Sequence, residues 1–327
     1  MAEPLLQVSD LSVRFDTDEG PVHAVDRMSF SLNAGEVLGI VGESGCGKSV
    51  TCMSLVRLLP ETATIQGQAL FDGRDLLSLS QRRLRSVRGR EISFVFQEPM
   101  TSLNPVFTVG RQIGEALERH LGLSRSAAQA RVIELLRLVR IPAPERRVHE
   151  YPHQLSGGMR QRVMIAMALA CDPKVLVADE PTTALDVTIQ AGILDLLRDI
   201  RERLGTAVIL ITHNLGVVAD IADRVLVMYA GRKAEESDVG ELFANPQHPY
   251  TIGLLGAIPR PSDGEPVERL QEIPGRVPSL RELPVGCAFA DRCPRADDTT
   301  RTHQPELREV RPDHLVACFH PGENGAL

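Results

Sequence analysis

The run Gly42-Glu43-Ser44-Gly45-Cys46-Gly47-Lys48-Ser49, set between the apolar stretch Val37 to Val41 and the helix-compatible stretch Val50 to Leu59, constrains this chain more than any other feature. G-x4-G-K-[ST] between a strand and a helix forms a loop whose glycines let successive backbone N–H groups turn inward around phosphate oxygens. Lys48 brings a mobile positive charge to the β- and γ-phosphates, and the Ser49 hydroxyl can ligate Mg2+. Gly42 through Val50 are therefore the candidate phosphate-binding residues, with the helix start adding exposed N–H groups and a favourable dipole. Each charge-assisted hydrogen bond to phosphate contributes roughly 1.5–3 kcal/mol. Cys46 and Cys52 read as incidental small residues, since no second thiol pair stands in register with them.

A second chemical site follows the apolar run Val175-Leu176-Val177-Ala178, which delivers Asp179 and Glu180 to its carboxyl end. In parallel α/β sheets ligands bind at that end of the strands. Asp179 is placed to hold Mg2+ through water, and Glu180 to polarise a water for in-line attack on a γ-phosphate. Adjacent acids at a strand end are also what a solvated corner looks like, so this pair needs its context.

Short β-like runs alternate with helix-like stretches at Glu36–Val41, Glu91–Phe96, Lys174–Ala178, Ala207–Thr212 and Arg224–Tyr229, which predicts an α/β protein. From about Phe107 to Arg140 no strand pattern occurs, and Val132, Leu135, Leu136 and Val139 recur at helical spacing. A helical subdomain over about residues 98–170, inserted into an α/β body spanning 1–258, is the expectation. Beyond it the character changes: 10 of the 22 prolines fall in the last 69 residues, so residues 259–327 read as a separate, irregular module.

At 327 residues the chain can bury roughly 75% of its unfolded surface and needs no covalent staples. A net charge of −7 disfavours nucleic-acid binding by bulk charge. The longest apolar runs, Val163–Cys171 and Ala207–Ile211, fall short of the ~18–20 residues a membrane-spanning helix requires. The start MAEPLLQVSD has no basic segment followed by an apolar run, so no secretory signal is expected and the cytosol is the expected compartment. In that reducing setting the six cysteines suggest metal-binding, catalytic or merely buried thiols rather than disulfides.

Around the two chemical sites stand further residues in a fixed order. Leu155-Ser156-Gly157-Gly158-Met159-Arg160-Gln161 precedes the acidic strand and Ala184-Leu185-Asp186 follows it, while Gln97 closes the strand ending at Phe96 and His213 the one ending at Thr212. Taken singly, a helix-capping Ser156, a Gln97 bonded to backbone and a helix-capping His213 would be ordinary. Together, from Phe15 to about Tyr229, they make the chain resemble the ATP-binding-cassette family of P-loop NTPases. That resemblance implies a RecA-like α/β core with an antiparallel β subdomain and an inserted helical subdomain. It also implies an active ATPase that uses ATP and Mg2+, with Glu180, His213 and Gln97 catalytic and Ser49, Gln97 and Asp179 around the metal. In the family two cassettes sandwich two ATP molecules, so Ser156, Gly157, Gly158 and Asp186 are expected to face a partner's nucleotide. For the adenine, Phe15 resembles the family's aromatic position and can stack on a base, whereas Phe30 is expected in the core.

The stretches Gln97-Glu98-Pro99-Met100-Thr101-Ser102-Leu103-Asn104-Pro105, Tyr151 to Met159 and Asn245-Pro246-Gln247-His248-Pro249-Tyr250-Thr251 are similar to those of ATPase subunits of bacterial dipeptide and oligopeptide importers. This implies peptide import as the function, with nickel, opine and glutathione importers as close relatives of the same branch. The implied partners are a second ATPase subunit, favouring a heterodimer, two membrane permease subunits and an extracytoplasmic binding protein, with no nucleic acid. The implied location is peripheral, on the cytoplasmic face of the plasma membrane. Cassette ATPases of DNA repair share the phosphate motifs but separate them with long coiled coils; here Gln97 and Ser156 are only 59 positions apart with no heptad run between them.

In the tail, Gly286-Cys287-x5-Cys293-Pro294 with the later Cys318 resembles a four-cysteine module that carries a [4Fe–4S] cluster in these importers. The family's third cysteine lies seven residues after the second, where this chain has Thr300. Three readings stand at this point: a cluster on Cys287, Cys293 and Cys318 completed by His303 or Asp298, a zinc site completed by His303, His314 or His320, or a metal-free tail with buried thiols.

Overall fold

The computed structural model describes residues 3–98, 102–183, 186–258 and 272–322. Pro99 to Thr101, Ala184, Leu185 and the first part of the tail, residues 259–271, lie outside the described residues, as do 1–2 and 323–327. The chain forms two compact units, one made of Met1–Leu32, Val37–Leu77 and Ile211–Leu327, the other of Asn33–Glu36 and Ser78–Leu210.

In the first unit, strands β1 (Leu6–Thr17) and β2 (Gly20–Leu32) make a long antiparallel hairpin, and β4 (Ala63–Phe71) pairs with the other edge of β1. Leu6, Val8, Leu11 and Val13 are all buried, so β1 has one inward face, with its alternation shifted where the register slips between Ser9 and Ser12. Strand β5 (Arg74–Asp75) completes this sheet beside β4. A second set is built on β3 (Val37–Val41), every residue of which is buried. It runs parallel to β9 (Arg224–Tyr229), also almost wholly buried, as strands covered on both faces require. Strand β10 (Arg232–Asp238) returns antiparallel to β9.

The tail contributes more regular structure than its proline content predicts. Strands β11 (Arg308–Arg311) and β12 (His314–Val316) form a hairpin, and β12 pairs with β10 through Glu235↔Val316 and Glu236↔Leu315. Pro312 falls in the turn, where a fixed φ helps, rather than in a ladder where its missing N–H would be felt. Glu235, in β10 beside this hairpin, is fully buried, accepting hydrogen bonds from the backbone N–H groups of Gln247 and His248 and bonding His314 Nε2 at 2.7 Å.

The second unit holds the parallel pair β6 (Ile92–Val95) and β7 (Val175–Asp179), and the chain crosses back into the first unit within β8 (Ala207–Thr212). Helices Val109–Leu121 and Arg125–Leu138 occupy the stretch expected to be helical, divided at Gly122, which ends the first helix, and Ser124, which caps the second. Val132, Leu135, Leu136 and Val139 are all buried, as their spacing requires. Helices Gly157–Ala168 and Val187–Leu204 complete the helical part that carries candidate residues. Among the described residues no helix is long and apolar enough to cross a membrane.

Candidate functional site

In the first unit the helix after the phosphate loop spans Lys48–Leu55, shorter than the Val50–Leu59 run suggested, because Arg57 turns left-handed (φ 52°) ahead of Pro60. Its N-cap is Gly47, which has no side chain to satisfy the first N–H groups of the helix, so these are left for an anion. Gly47 is also required by space: at φ 102° a Cβ would stand 2.4 Å from the Ala24 carbonyl oxygen. Lys48 is 6% exposed and folds back on its own loop, its Nζ donating to the Gly42 carbonyl at 2.7 Å and the Glu43 carbonyl at 3.0 Å. Ser44 and Gly45 are exposed, Ser49 and Val50 half-buried, and Cys46 and Cys52 buried in the core as expected of incidental thiols. Burial pushes the Cys46 thiol up, against the pull of Lys48.

The loop is held from residues that the motif does not include. The backbone N–H of Glu43 donates to the Tyr250 hydroxyl at 2.8 Å, and the Glu43 carboxylate is gripped by both terminal nitrogens of Arg292. Tyr250 is fully buried; that burial, with the Glu43 carboxylate and Cys46 nearby, raises its phenol far above its ordinary value and keeps it protonated. Burial works against the charge of Arg292, but its bonds to Glu43 and Tyr229 outweigh this and raise it further.

Phe15 lies in β1 opposite Val22 and Ala63 and is half-buried; Phe30 is 5% exposed and belongs to the core. His213 follows β8 and is exposed. It is not a helix cap: the next helix, Leu215–Ile221, is capped by Asn214, whose side chain accepts from Gly216 N–H.

In the second unit the structure brings Gln97 and Glu180 together across 83 positions of sequence, with Gln97 Nε2 donating to Glu180 Oε2 at 2.9 Å. Thr183 Oγ1 donates to the same carboxylate oxygen at 2.9 Å, a partner that the motif pattern gave no reason to single out. Glu180 adopts φ 46°, a left-handed conformation that a non-glycine residue holds only under local constraint. Asp179 ends β7 beside it, half-buried.

Ser156 caps the helix Gly157–Ala168 by accepting from Met159 N–H, so the cap role coexists with the glycine-rich helix start. Around Gly157 a Cβ would meet nothing within 4 Å, whereas at Gly158 it would stand 2.9 Å from the Ile189 side chain, so the helix start is open at its first residue and packed at its second. Asp186 caps the helix Val187–Leu204, one carboxylate oxygen accepting from Ile189 N–H at 2.8 Å.

The metal expectation for the tail is corrected. Cys287, Cys293 and Cys318 sense one another electrostatically, and burial above all raises the thiols, Cys318 to about 11. Yet among the described residues no three His, Cys, Asp or Glu side chains gather closely enough to hold a metal ion. Thr300, at the position of the missing cysteine, closes a capping box with Asp297, and its carbonyl accepts from Cys287 N–H at 2.7 Å. The histidines named as candidate ligands are engaged elsewhere, His303 with Thr302, His314 with Glu235 and His320 with Asp297, and Asp298 stands in the first turn of the helix Asp298–Thr302. Neither the iron–sulfur nor the zinc reading has a donor set here.

Comparison with known proteins places this geometry. Residues 25–183 match the family described as ABC transporter, and residues 234–299 match the oligopeptide/dipeptide transporter C-terminal region. A probable peptide ABC transporter ATP-binding protein of Sinorhizobium fredii is 56% identical over 324 residues, covering 98% of this chain and 96% of its own. The oligopeptide transport ATP-binding protein OppD of Salmonella typhimurium is 52% identical over 98% of this chain and 95% of its own length. Among solved structures, the dimeric ATP-binding cassette MJ0796 in a post-hydrolysis state bound to ADP and Pi aligns with a TM-score of 0.65 at 28% identity, covering 72% of this chain and 98% of that one. The cassette cbiO1 of Clostridium perfringens, part of an ABC transporter complex, aligns with a TM-score of 0.63 at 30% identity over 74% of this chain and 92% of its own. With a phosphate loop on β3, an acidic pair on β7 and relatives matched along nearly its whole length, the chain belongs to the ABC transporter family of ATP-binding proteins.

Proposed function

We propose that this ABC-type ATPase powers the import of di- and oligopeptides from the cytoplasmic face of the plasma membrane. The observation that carries the cargo class is the extent of the likeness. Identity above 50% to oligopeptide transport ATP-binding proteins runs through both the cassette and the C-terminal region, not through the cassette alone.

The roles follow from the chemistry of each group. On nucleotide binding Lys48 exchanges its bonds to the Gly42 and Glu43 carbonyls for phosphate oxygens, so its charge is carried within the loop and costs little to redirect. Residues Gly42 to Val50 supply the backbone donors, and Phe15 the stacking face for adenine. Ser49, Gln97 and Asp179 offer a hydroxyl, an amide carbonyl and a carboxylate. These are the hard oxygen donors that Mg2+ takes, and Gln97 uses its side-chain NH2, not its carbonyl, to reach Glu180. Mg2+ taken up by such donors would neutralise charge on the phosphoryl group being transferred.

The Glu180 carboxylate polarises the attacking water, its orientation fixed by Gln97 and Thr183, and His213 contacts the γ-phosphate. Ser156, Gly157, Gly158 and Asp186 serve the nucleotide of a second cassette, for which a homologous subunit is the expected partner. Two permease subunits and an extracytoplasmic binding protein complete the importer, and these choose the cargo.

The test is transport by the assembled complex reconstituted in vesicles with the binding protein. ATP-dependent accumulation of a labelled tripeptide is expected, and none with Glu180→Gln. Accumulation of nickel or glutathione with no peptide uptake would overturn the cargo assignment while leaving the ATPase intact.

A further inference from the structure

The cysteine-bearing tail lost its metal reading, but one of its side chains reaches the phosphate loop. Arg292 lies in the short turn Ala290–Arg292, closed by Ala290 N–H to the Cys287 carbonyl and Cys293 N–H to the Ala290 carbonyl. Its side chain is 4% exposed and satisfied on every nitrogen. Nη1 donates to Glu43 Oε2 at 2.6 Å and to the Tyr229 hydroxyl at 3.3 Å. Nη2 donates to Glu43 Oε1 at 3.1 Å and to the Ile273 carbonyl at 3.4 Å, and Nε to the Pro274 carbonyl at 3.0 Å. The guanidinium also lies 5.8 Å from the ring centroids of both Tyr229 and Phe289.

This is the two-pronged geometry that arginine alone provides, in a setting that removes most of the competing water. Glu43, second residue of the phosphate motif, is therefore fixed at two points: its carboxylate by Arg292 and its N–H by Tyr250. Its carbonyl is one of the two that hold Lys48. Rotation of the Glu43 peptide would move the carbonyl that parks the lysine and the N–H groups that follow it, and the buried clamp opposes that rotation.

We infer that Arg292 is a positioning residue for the phosphate loop, so that the C-terminal module sets nucleotide affinity through Glu43 rather than serving only as an appendage. The inference rests on the reading of Gly42–Ser49 as the nucleotide loop. Preorganisation of this kind acts on binding more than on the chemical step, since Arg292 touches neither the water nor its base.

The experiment is a double-mutant cycle in the assembled transporter with Arg292→Met, Glu43→Gln and both changes, reading KM for ATP and kcat separately, with Lys48→Ala as a control. Each single variant is expected to raise KM roughly tenfold, equal to ~1.4 kcal/mol, with kcat within about twofold, and the double variant to be no worse than either single. A lower kcat at unchanged KM, or effects that multiply in the double variant, overturns the inference and leaves the tail a purely structural element. Should Arg292→Met not accumulate as folded protein, Arg292→Lys decides instead: it keeps the charge beside Glu43 but loses the two-pronged grip, so a raised KM at unchanged kcat supports the inference and an unchanged KM overturns it. If Lys48→Ala also binds ATP normally, it is the loop reading that fails; if Lys48→Ala abolishes binding while the other variants behave as wild type, only the role of Arg292 does.

Discussion

Replacing Glu180 by Gln separates geometry from basicity at the proposed water-polarising group. Glu180 Oε2 accepts from Gln97 Nε2 and from Thr183 Oγ1, both at 2.9 Å. A glutamine whose amide oxygen takes the place of Oε2 keeps both donors satisfied, so the side chain stays where it is. What disappears is the negative charge. Each hydrogen bond falls from the ~1.5–3 kcal/mol typical of a charged acceptor towards the ~0.5–1.5 kcal/mol of a neutral one, and the partial exposure of the site shrinks even that difference. Loss of a general base costs roughly 10²–10⁴ in rate, or about 2.7–5.5 kcal/mol of barrier. The catalytic loss therefore exceeds the structural one.

In the assembled transporter, phosphate release should fall by at least about a hundredfold while affinity for Mg-ATP stays within about threefold, and nucleotide-bound complex should accumulate. Thr183→Ala, which removes one donor and leaves the base, should slow turnover by less than about tenfold, the value of one partly exposed hydrogen bond. Glu180→Gln turning over ATP within a few-fold of wild type would refute the reasoning, because nothing else in the arrangement was changed.

Lys48→Ala removes the charge that now sits on the Gly42 and Glu43 carbonyls, and titration calorimetry should show Mg-ATP affinity lost by tenfold or more, about the value of one charge-assisted bond. Gly47→Ala forces a Cβ to within 2.4 Å of the Ala24 carbonyl at φ 102°, so nucleotide binding should collapse with helix content retained, and unchanged binding would contradict the geometry. His248 is buried, and that burial, opposed by Glu235 and aided by Arg295, lowers its pKa from 6.5 to about 4. The folded state keeps it neutral while the unfolded chain takes up a proton below 6.5, so its contribution is intact above 6.5 and is lost as pH falls towards 4, by ~3 kcal/mol in all. Chemical denaturation of wild type against His248→Asn, which keeps a side-chain acceptor for Tyr250 N–H, should show their stability difference shrinking by that amount from pH 7 to 4; a difference independent of pH would contradict it.

The phosphate loop, the acidic pair and the capped helix start were legible in the primary structure because each depends on contiguous residues. A loop that wraps phosphate needs its glycines, lysine and serine at fixed offsets, and a strand that ends in two acids carries both to one place whatever the rest of the chain does. Alternating burial in β1 and the helical spacing of Val132, Leu135, Leu136 and Val139 are local in the same sense.

What folding alone decided is whatever joins distant residues or depends on convergence. Glu43 meets Tyr250 across 207 positions and Arg292 across 249, pairings with no local signature because neither partner belongs to a repeating pattern. Thr183 became a partner of Glu180 only once the chain turned left-handed at that glutamate. The cysteine spacing of the tail reported that thiols were present; whether they gather around a metal depends on where three turns of backbone place them. There the fold committed Thr300 to a helix cap and the nearby histidines to carboxylates and a hydroxyl. A motif fixes chemistry along the chain, where covalent bonds set the distances, whereas contacts across it are set by packing.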